Sequence, residues 1–214
     1  MFSRMVSSSP SGSTGSTGST GVLVDALAGA PAARRGRLAW LAREALLVGA
    51  GVLLLALAAH LRIILPFTVV PITGQTFAVL LLGAAYGWRR GGVTVALYLA
   101  AGLAGLPVFA DVAGLATLGY LAGFLLAAVV VGWLAGRGWD RRFVTALAAM
   151  LAGEVVIYAC GLLWLARFVG WEHVVAEGLL PFLPGDALKL VAAALVLPAA
   201  WQAVRVIWGR RSEP

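Results

Sequence analysis

Most of the charge in this 214-residue chain lies between long apolar runs rather than within them. The runs cover about 38–60, 74–88, 91–107, 117–135, 143–167 and 179–208. The breaks carry turn formers: Pro66 and Pro71, Gly91 and Gly92, Pro107, Gly136 and Gly138, then Pro181, Pro184 and Gly185. About 20 apolar residues cross a bilayer as a helix, so the pattern predicts an all-α, polytopic integral membrane protein with six transmembrane helices. The second and third runs are short for spans, so tilt, re-entrance or shifted boundaries are expected there. Composition excludes a soluble globule: 61% of residues are hydrophobic and 12% charged, where soluble domains carry about 25% charge.

The cations alternate along the chain. The N-terminal flank holds Arg34, Arg35, Arg37 and Arg43, the second break Arg89 and Arg90, the fourth Arg137, Arg141 and Arg142, and the C-terminal flank Arg205, Arg210 and Arg211. The odd breaks hold Arg62 and Arg167, accompanied by Asp111, Glu172 and Glu177. Positive charge marks the cytoplasmic side, so both termini are expected in the cytoplasm. Trp40, Trp88, Trp139 and Trp208 then mark the inner interface, and Trp164 and Trp171 the outer one. The net charge of +7 is therefore orientation charge and does not point to nucleic acid. Residues 1–37, with their STG repeat over 13–21, read as a disordered cytoplasmic tail; 38–211 read as one six-helix, substrate-binding domain.

Ionisable residues at membrane depth are costly, and three stand out: Glu154 in the fifth run, and Asp186 and Lys189 at the start of the sixth. Asp186 and Lys189 are three apart and share a helix face. They form either a local ion pair that shields itself or the polar wall of an outward-facing cavity, with Asp186 also placed to cap the helix after Pro184 and Gly185. Lys189 is the only lysine, so no phosphate-binding loop exists, and any ATPase must be a separate chain.

Enzymatic readings lack parts. His60 and His173 have no metal spacing, Cys160 stands alone, and Ser212 is the only serine beyond the N-terminal tail. No catalytic residues, metal site or cofactor are expected. In the first run Ala45 and Gly49 form a small-xxx-small pair, either a surface for a partner helix or a site of internal packing.

Four strings carry a further signal: VPITGQTFAVLLLGAAYGWRRGGVTVALYLAAGLAGLPVF (70–109), LGYLAGFLLA (118–127), GEVVIYACGLLWLA (153–166) and LPFLPGDALKL (180–190). Together they resemble the BioY family, the biotin-binding S-components of energy-coupling-factor (ECF) transporters. The resemblance implies a six-helix membrane protein that captures biotin from outside and mediates its uptake across the plasma membrane of a bacterial cell. Its implied partners are the lipid bilayer, a T-component and two ATPase subunits, or further copies of itself if it acts alone.

The family's last-helix Asp and Lys fall on Asp186 and Lys189. Asp186 can accept ureido N–H bonds, and Lys189 can donate to the ureido carbonyl or pair with the carboxylate. Gln75, Tyr120, Tyr158 and Glu154 are further pocket candidates, with Phe109 and Trp164 as apolar walls. The segment after Phe109 is shorter than the Gly-rich form common in the family and carries Asp111 without Arg or Lys. Carboxylate recognition then falls to Lys189, to backbone N–H groups near Gly114, or to solvent. An S-component for another vitamin would share this architecture, and a membrane-embedded enzyme or a structural subunit are the readings from other classes.

Overall fold

The computed structural model describes residues 21–28, 36–109 and 114–209. The Ser/Thr/Gly tract before residue 21, Arg34, Arg35, Asp111, Arg210, Arg211 and the side chain of Trp208 lie outside the described residues. The helices are α1 (Leu23–Ala28), α2 (Arg37–His60), α3 (Gln75–Leu103), α4 (Leu118–Gly136), α5 (Phe143–Val169), α6 (Val174–Gly178) and α7 (Leu183–Gly209). Four segments among the described residues are long and apolar enough to cross a membrane: Arg37–His60, Leu115–Gly136, Phe143–Val169 and Leu183–Ile207. Their outer faces carry exposed Leu46, Leu53, Leu57, Val144, Leu163 and Leu195, as lipid contact requires.

The second and third runs fold differently from two independent spans. They form one element, α3, that turns at Gly87, where φ is +76° and ψ 169°. Only glycine adopts that backbone without strain. Gln75 and Tyr98 would lie roughly 35 Å apart along a straight helix, yet the Gln75 Nε2 donates to the Tyr98 hydroxyl at 2.8 Å. The two arms are therefore antiparallel, and each is shorter than the hydrocarbon layer is thick. The turn lies at Gly87, so Gly91 and Gly92 belong to the second arm.

The arms of α3 pack on α4, and α4 packs on α5; α7 closes the bundle against α5 and α3, while α2 lies against α3. The closest approach to another segment's backbone at a described glycine is at Gly132 of α4, where a Cβ would lie 2.4 Å from the Trp88 backbone nitrogen and 2.6 Å from the Gly87 carbonyl carbon. One short antiparallel ribbon interrupts the all-helical pattern, β1 (Arg62–Ile63) pairing β2 (Ile72–Thr73) in the register Arg62 with Thr73. It connects α2 to α3.

The α3 turn, the N-terminus of α2 and the α4–α5 turn share one end of the bundle. Arg90 makes a bidentate pair with Glu44 at 2.7 and 2.8 Å. Asp25 of α1 accepts from Arg43 at 3.0 Å and from Arg90 at 3.2 Å. Six residues do not hold a helix on their own; α1 is held by these ion pairs and by Leu23, which is buried. The tail expected to lack structure as far as residue 37 thus contains a docked segment, whose Val22 side chain sits against Gly87. At the same end, buried Asp140 accepts from the Trp201 indole N–H, tying the α4–α5 turn to α7. Burial pushes the Asp140 carboxyl up from its ordinary range, and the indole bond partly offsets this.

Gly132→Val should lower the thermal midpoint in detergent by the equivalent of about 1–3 kcal/mol, the usual cost of overpacking. Gly136→Ala, with nothing within 4 Å of the new methyl, should leave it unchanged. Equal midpoints for the two variants would disprove the close packing of α4 on the α3 turn.

Candidate functional site

The cavity lies at the opposite end of the bundle, where the ribbon leads into α3 and where α7 begins. Val70, Pro71, Thr73, Gln75 and Thr76 line it from the ribbon and α3, with Thr117, Tyr120, Leu121 and Phe124 from the start of α4. Glu154, Ile157 and Tyr158 line it from α5, and Phe182, Asp186 and Lys189 from α7 and the residue before it. Those from α4, α5 and α7 fall at spacings of three or four, which keep side chains on one helix face. With the open solvent at its mouth included, the hollow measures about 530 Å³.

Asp186 is buried, and its partners come from three helices. Its Oδ1 accepts from the Lys189 ammonium at 2.8 Å and from the Thr76 hydroxyl at 3.5 Å, and its Oδ2 accepts a short bond from the Tyr158 hydroxyl. An ammonium has three N–H donors. Lys189 directs them to Asp186, to the Thr73 carbonyl oxygen at 2.8 Å and to the Thr76 hydroxyl at 3.1 Å. The pair is thus part of a network joining α7 to the N-terminus of α3 and to the middle of α5. Asp186 does not act as a cap: α7 begins at Leu183, with Pro184 and Gly185 inside the first turn, where the ring costs no hydrogen bond.

The other expected site residues divide. Gln75, Tyr120, Tyr158 and Glu154 line the cavity. Gln75 is tied to Tyr98, whose hydroxyl donates to the Val108 carbonyl at 3.0 Å. Tyr120 donates to the Gly178 carbonyl at 2.7 Å, and its ring meets Tyr158 edge-on at 6.4 Å. Phe109 and Trp164 are not among the lining residues. Phe109 packs edge-on against Tyr98 at 5.4 Å. Trp164 follows Tyr158 by six residues, about 240° further round the helix, and its indole N–H donates to the Leu115 carbonyl at 2.8 Å. The apolar walls are instead Leu121, Phe124, Ile157 and Phe182.

Thr73 and Thr76 are polar members that sequence reasoning did not single out, although both lie in the PITGQTF string. Lys189 is the only cation in the described lining. Ala45 and Gly49 lie outside the cavity, on the exposed face of α2, and no atom comes within 4 Å of a Cβ at Gly49. Among the described residues no group of three or more His, Cys, Asp or Glu side chains can hold a metal ion.

Comparison with known proteins agrees with this architecture. Residues 27–206 match the BioY family. The biotin transporter BioY of Thermotoga maritima is 38% identical over 157 residues, covering 70% of this chain and 92% of the relative. That of Rhizobium etli is 38% identical over 146 residues, covering 62% and 78%. The crystal structure of an S-component for biotin from an ECF-type ABC transporter superposes with a TM-score of 0.64 at 22% identity, covering 78% of this chain and 92% of that one. At that identity the structural likeness speaks to the fold.

Removing one member of a desolvated ion pair leaves the other charge stranded, which costs about 3–5 kcal/mol at full burial. The Lys189 side chain is 21% exposed, so Lys189→Met should cost less, about 2–3 kcal/mol. The double variant Asp186→Asn/Lys189→Met should recover part of that loss in a thermal-unfolding comparison. A double variant less stable than the single one would contradict the pairing.

Proposed function

Because the chain belongs to the BioY family, we propose that it is a biotin-binding membrane subunit, the S-component of a biotin uptake system, and a transport protein rather than an enzyme. The reading is carried by the family match over residues 27–206, with relatives described as biotin transporters. The geometry of the cavity supports it. Biotin presents a rigid ring urea with one carbonyl between two N–H groups, an apolar bicycle and chain, and a carboxylate. The Lys189 ammonium and the Asp186 carboxylate, with the Glu154 carboxyl beside them, supply the donor and acceptors a urea needs, within walls of Leu121, Phe124, Ile157 and Phe182. Lys189 already uses all three N–H groups, so the solute displaces one of its protein partners rather than meeting a free cation. Binding of this kind needs no covalent step and no cofactor.

The α3 arms then count as two short spans, giving six, with both termini in the cytoplasm. In support, Arg43, Arg90 and the Asp140 turn with its flanking arginines gather at the end of the bundle away from the cavity. The cavity therefore faces outward across the plasma membrane, and release inward requires reorientation. A T-component with two ATPases supplies the energy, docking against the exposed Ala45 and Gly49 face of α2; in a solitary form, further copies of the chain occupy that face.

Equilibrium binding to the purified chain tests the ligand. Biotin should bind in preference to thiamine or riboflavin, and Asp186→Asn and Lys189→Ala should each weaken it by roughly ten-fold or more, the worth of one charged hydrogen bond. Retention of another vitamin with no response to biotin would refute the assignment. In a Cys160→Ala background, an impermeant maleimide should label Glu172→Cys in intact cells and Arg142→Cys only after permeabilisation. The reverse pattern would invert the orientation.

A further inference from the structure

At the end of the bundle away from the cavity, Arg43 and Arg90 are matched by Asp25 and Glu44. Arg89 and Arg137 stand apart from that cluster. Both are exposed, and among the described residues no carboxylate pairs with either. Each lies instead over an indole. The Arg89 guanidinium is 4.8 Å from the centre of the Trp88 ring, and that of Arg137 is 3.1 Å from the centre of the Trp133 ring. A guanidinium resting on an aromatic face is held in place while its N–H fork stays open at the edge.

The two stacks are neighbours. The second arm of α3 runs antiparallel to α4, with Gly92 against Val129 and the Trp88 backbone against Gly132. Arg89 is three residues from Gly92 and Trp133 is four from Val129, so each lies one turn along a shared face from that contact, on the side of the α3 turn. Arg137 folds back one turn over Trp133 and comes to the same level. Toward the cavity end the groove between these helices is bordered by apolar side chains: Val93, Ala96 and Ala100 from α3, and Ala122 and Leu126 from α4, all exposed.

We infer that this groove binds one phospholipid with a net-negative headgroup, its phosphate between the Arg89 and Arg137 guanidinium groups and an acyl chain along the apolar strip. Guanidinium forks match phosphate oxygens. Two cations without a protein counter-charge favour a net-anionic head over a zwitterionic one, whose phosphate is already balanced. The strip suits a hydrocarbon chain, which a free phosphate lacks, and exposed Trp88 and Trp133 belong at the level where headgroups meet acyl chains. The inference is independent of what the cavity holds. It takes from the orientation proposed above only that the lipid comes from the inner leaflet.

The test titrates dioleoyl phosphatidylglycerol and dioleoyl phosphatidylcholine into the purified full chain in detergent, with bound lipid counted by native mass spectrometry. Wild type should hold one phosphatidylglycerol with roughly ten-fold or more preference, several-fold for each arginine. Arg89→Gln/Arg137→Gln should bind the two lipids equally, with a thermal midpoint in phosphatidylcholine equal to that of wild type. Arg142→Gln removes another exposed arginine near the same end and should keep the full preference. An equal loss in Arg142→Gln would report diffuse surface charge and overturn the site. Equal binding of both lipids by wild type would also overturn it and leave the face to a protein partner. Inorganic phosphate at the lipid's concentration should not displace phosphatidylglycerol, and displacement would refute a lipid as the occupant. Should the double variant fail to fold, Arg89→Gln and Arg137→Gln singly decide: each should lose several-fold in preference, and no loss in either refutes the inference. Failure of this test leaves the biotin reading intact, and a chain that ignores biotin leaves the lipid site intact.

Discussion

A buried carboxylate and an ammonium left only 21% exposed have to be matched almost atom by atom, and that requirement organises the cavity end of the bundle. Asp186 and Lys189 find their partners on α3 and α5. The first turn of α7 is thereby fixed against two other helices by polar contacts, where apolar packing alone would let them slide. In hydrocarbon an unmatched charge is expensive wherever it points. The network therefore specifies position as much as it adds stability.

The rest of the fold brings those three helices into register. The Gly87 turn returns the second arm of α3 beside the first, and the Gln75–Tyr98 bond closes the open end of that hairpin next to Thr73 and Thr76. Gly132 lets α4 reach the backbone of the turn. At the far end, the Asp140–Trp201 bond and the Asp25–Arg43–Arg90–Glu44 cluster hold the same elements by their other termini. Polar fastenings thus sit at both ends of the bundle, and small residues pack the middle.

Much of this could be read from the residues because charge is scarce. With one lysine in the chain, an acid three positions before it at the start of an apolar run is conspicuous, as is a glutamate within an apolar run. Threonine gives no such signal, since Thr73 and Thr76 at a helix start look like ordinary capping residues. Phe109 and Trp164 stand out by size and aromatic character, but the face Trp164 presents depends on helix phase, which an all-round apolar run such as α5 does not reveal, and Phe109 lies beyond the end of α3, where no helix face sets its direction. The hairpin turn was expected at the paired glycines 91 and 92, whereas the backbone uses Gly87, where α4 comes closest. Leu23–Ala28 is too short to register as a span, and its docking depends on a charge pairing with distant Arg43 and Arg90.

The complete coordination of Lys189 has a consequence for what the cavity ignores. An ammonium that brings three oxygens of its own gains nothing from chloride or from a stray lipid phosphate, so no borrowed counter-ion needs to be expelled before a solute arrives. Admission becomes a contest of basicity: a newcomer has to offer a better oxygen than a threonine hydroxyl or a peptide carbonyl. An ether or ester oxygen, a poorer acceptor than a peptide carbonyl, does not meet that condition, and the sieve acts before shape is considered.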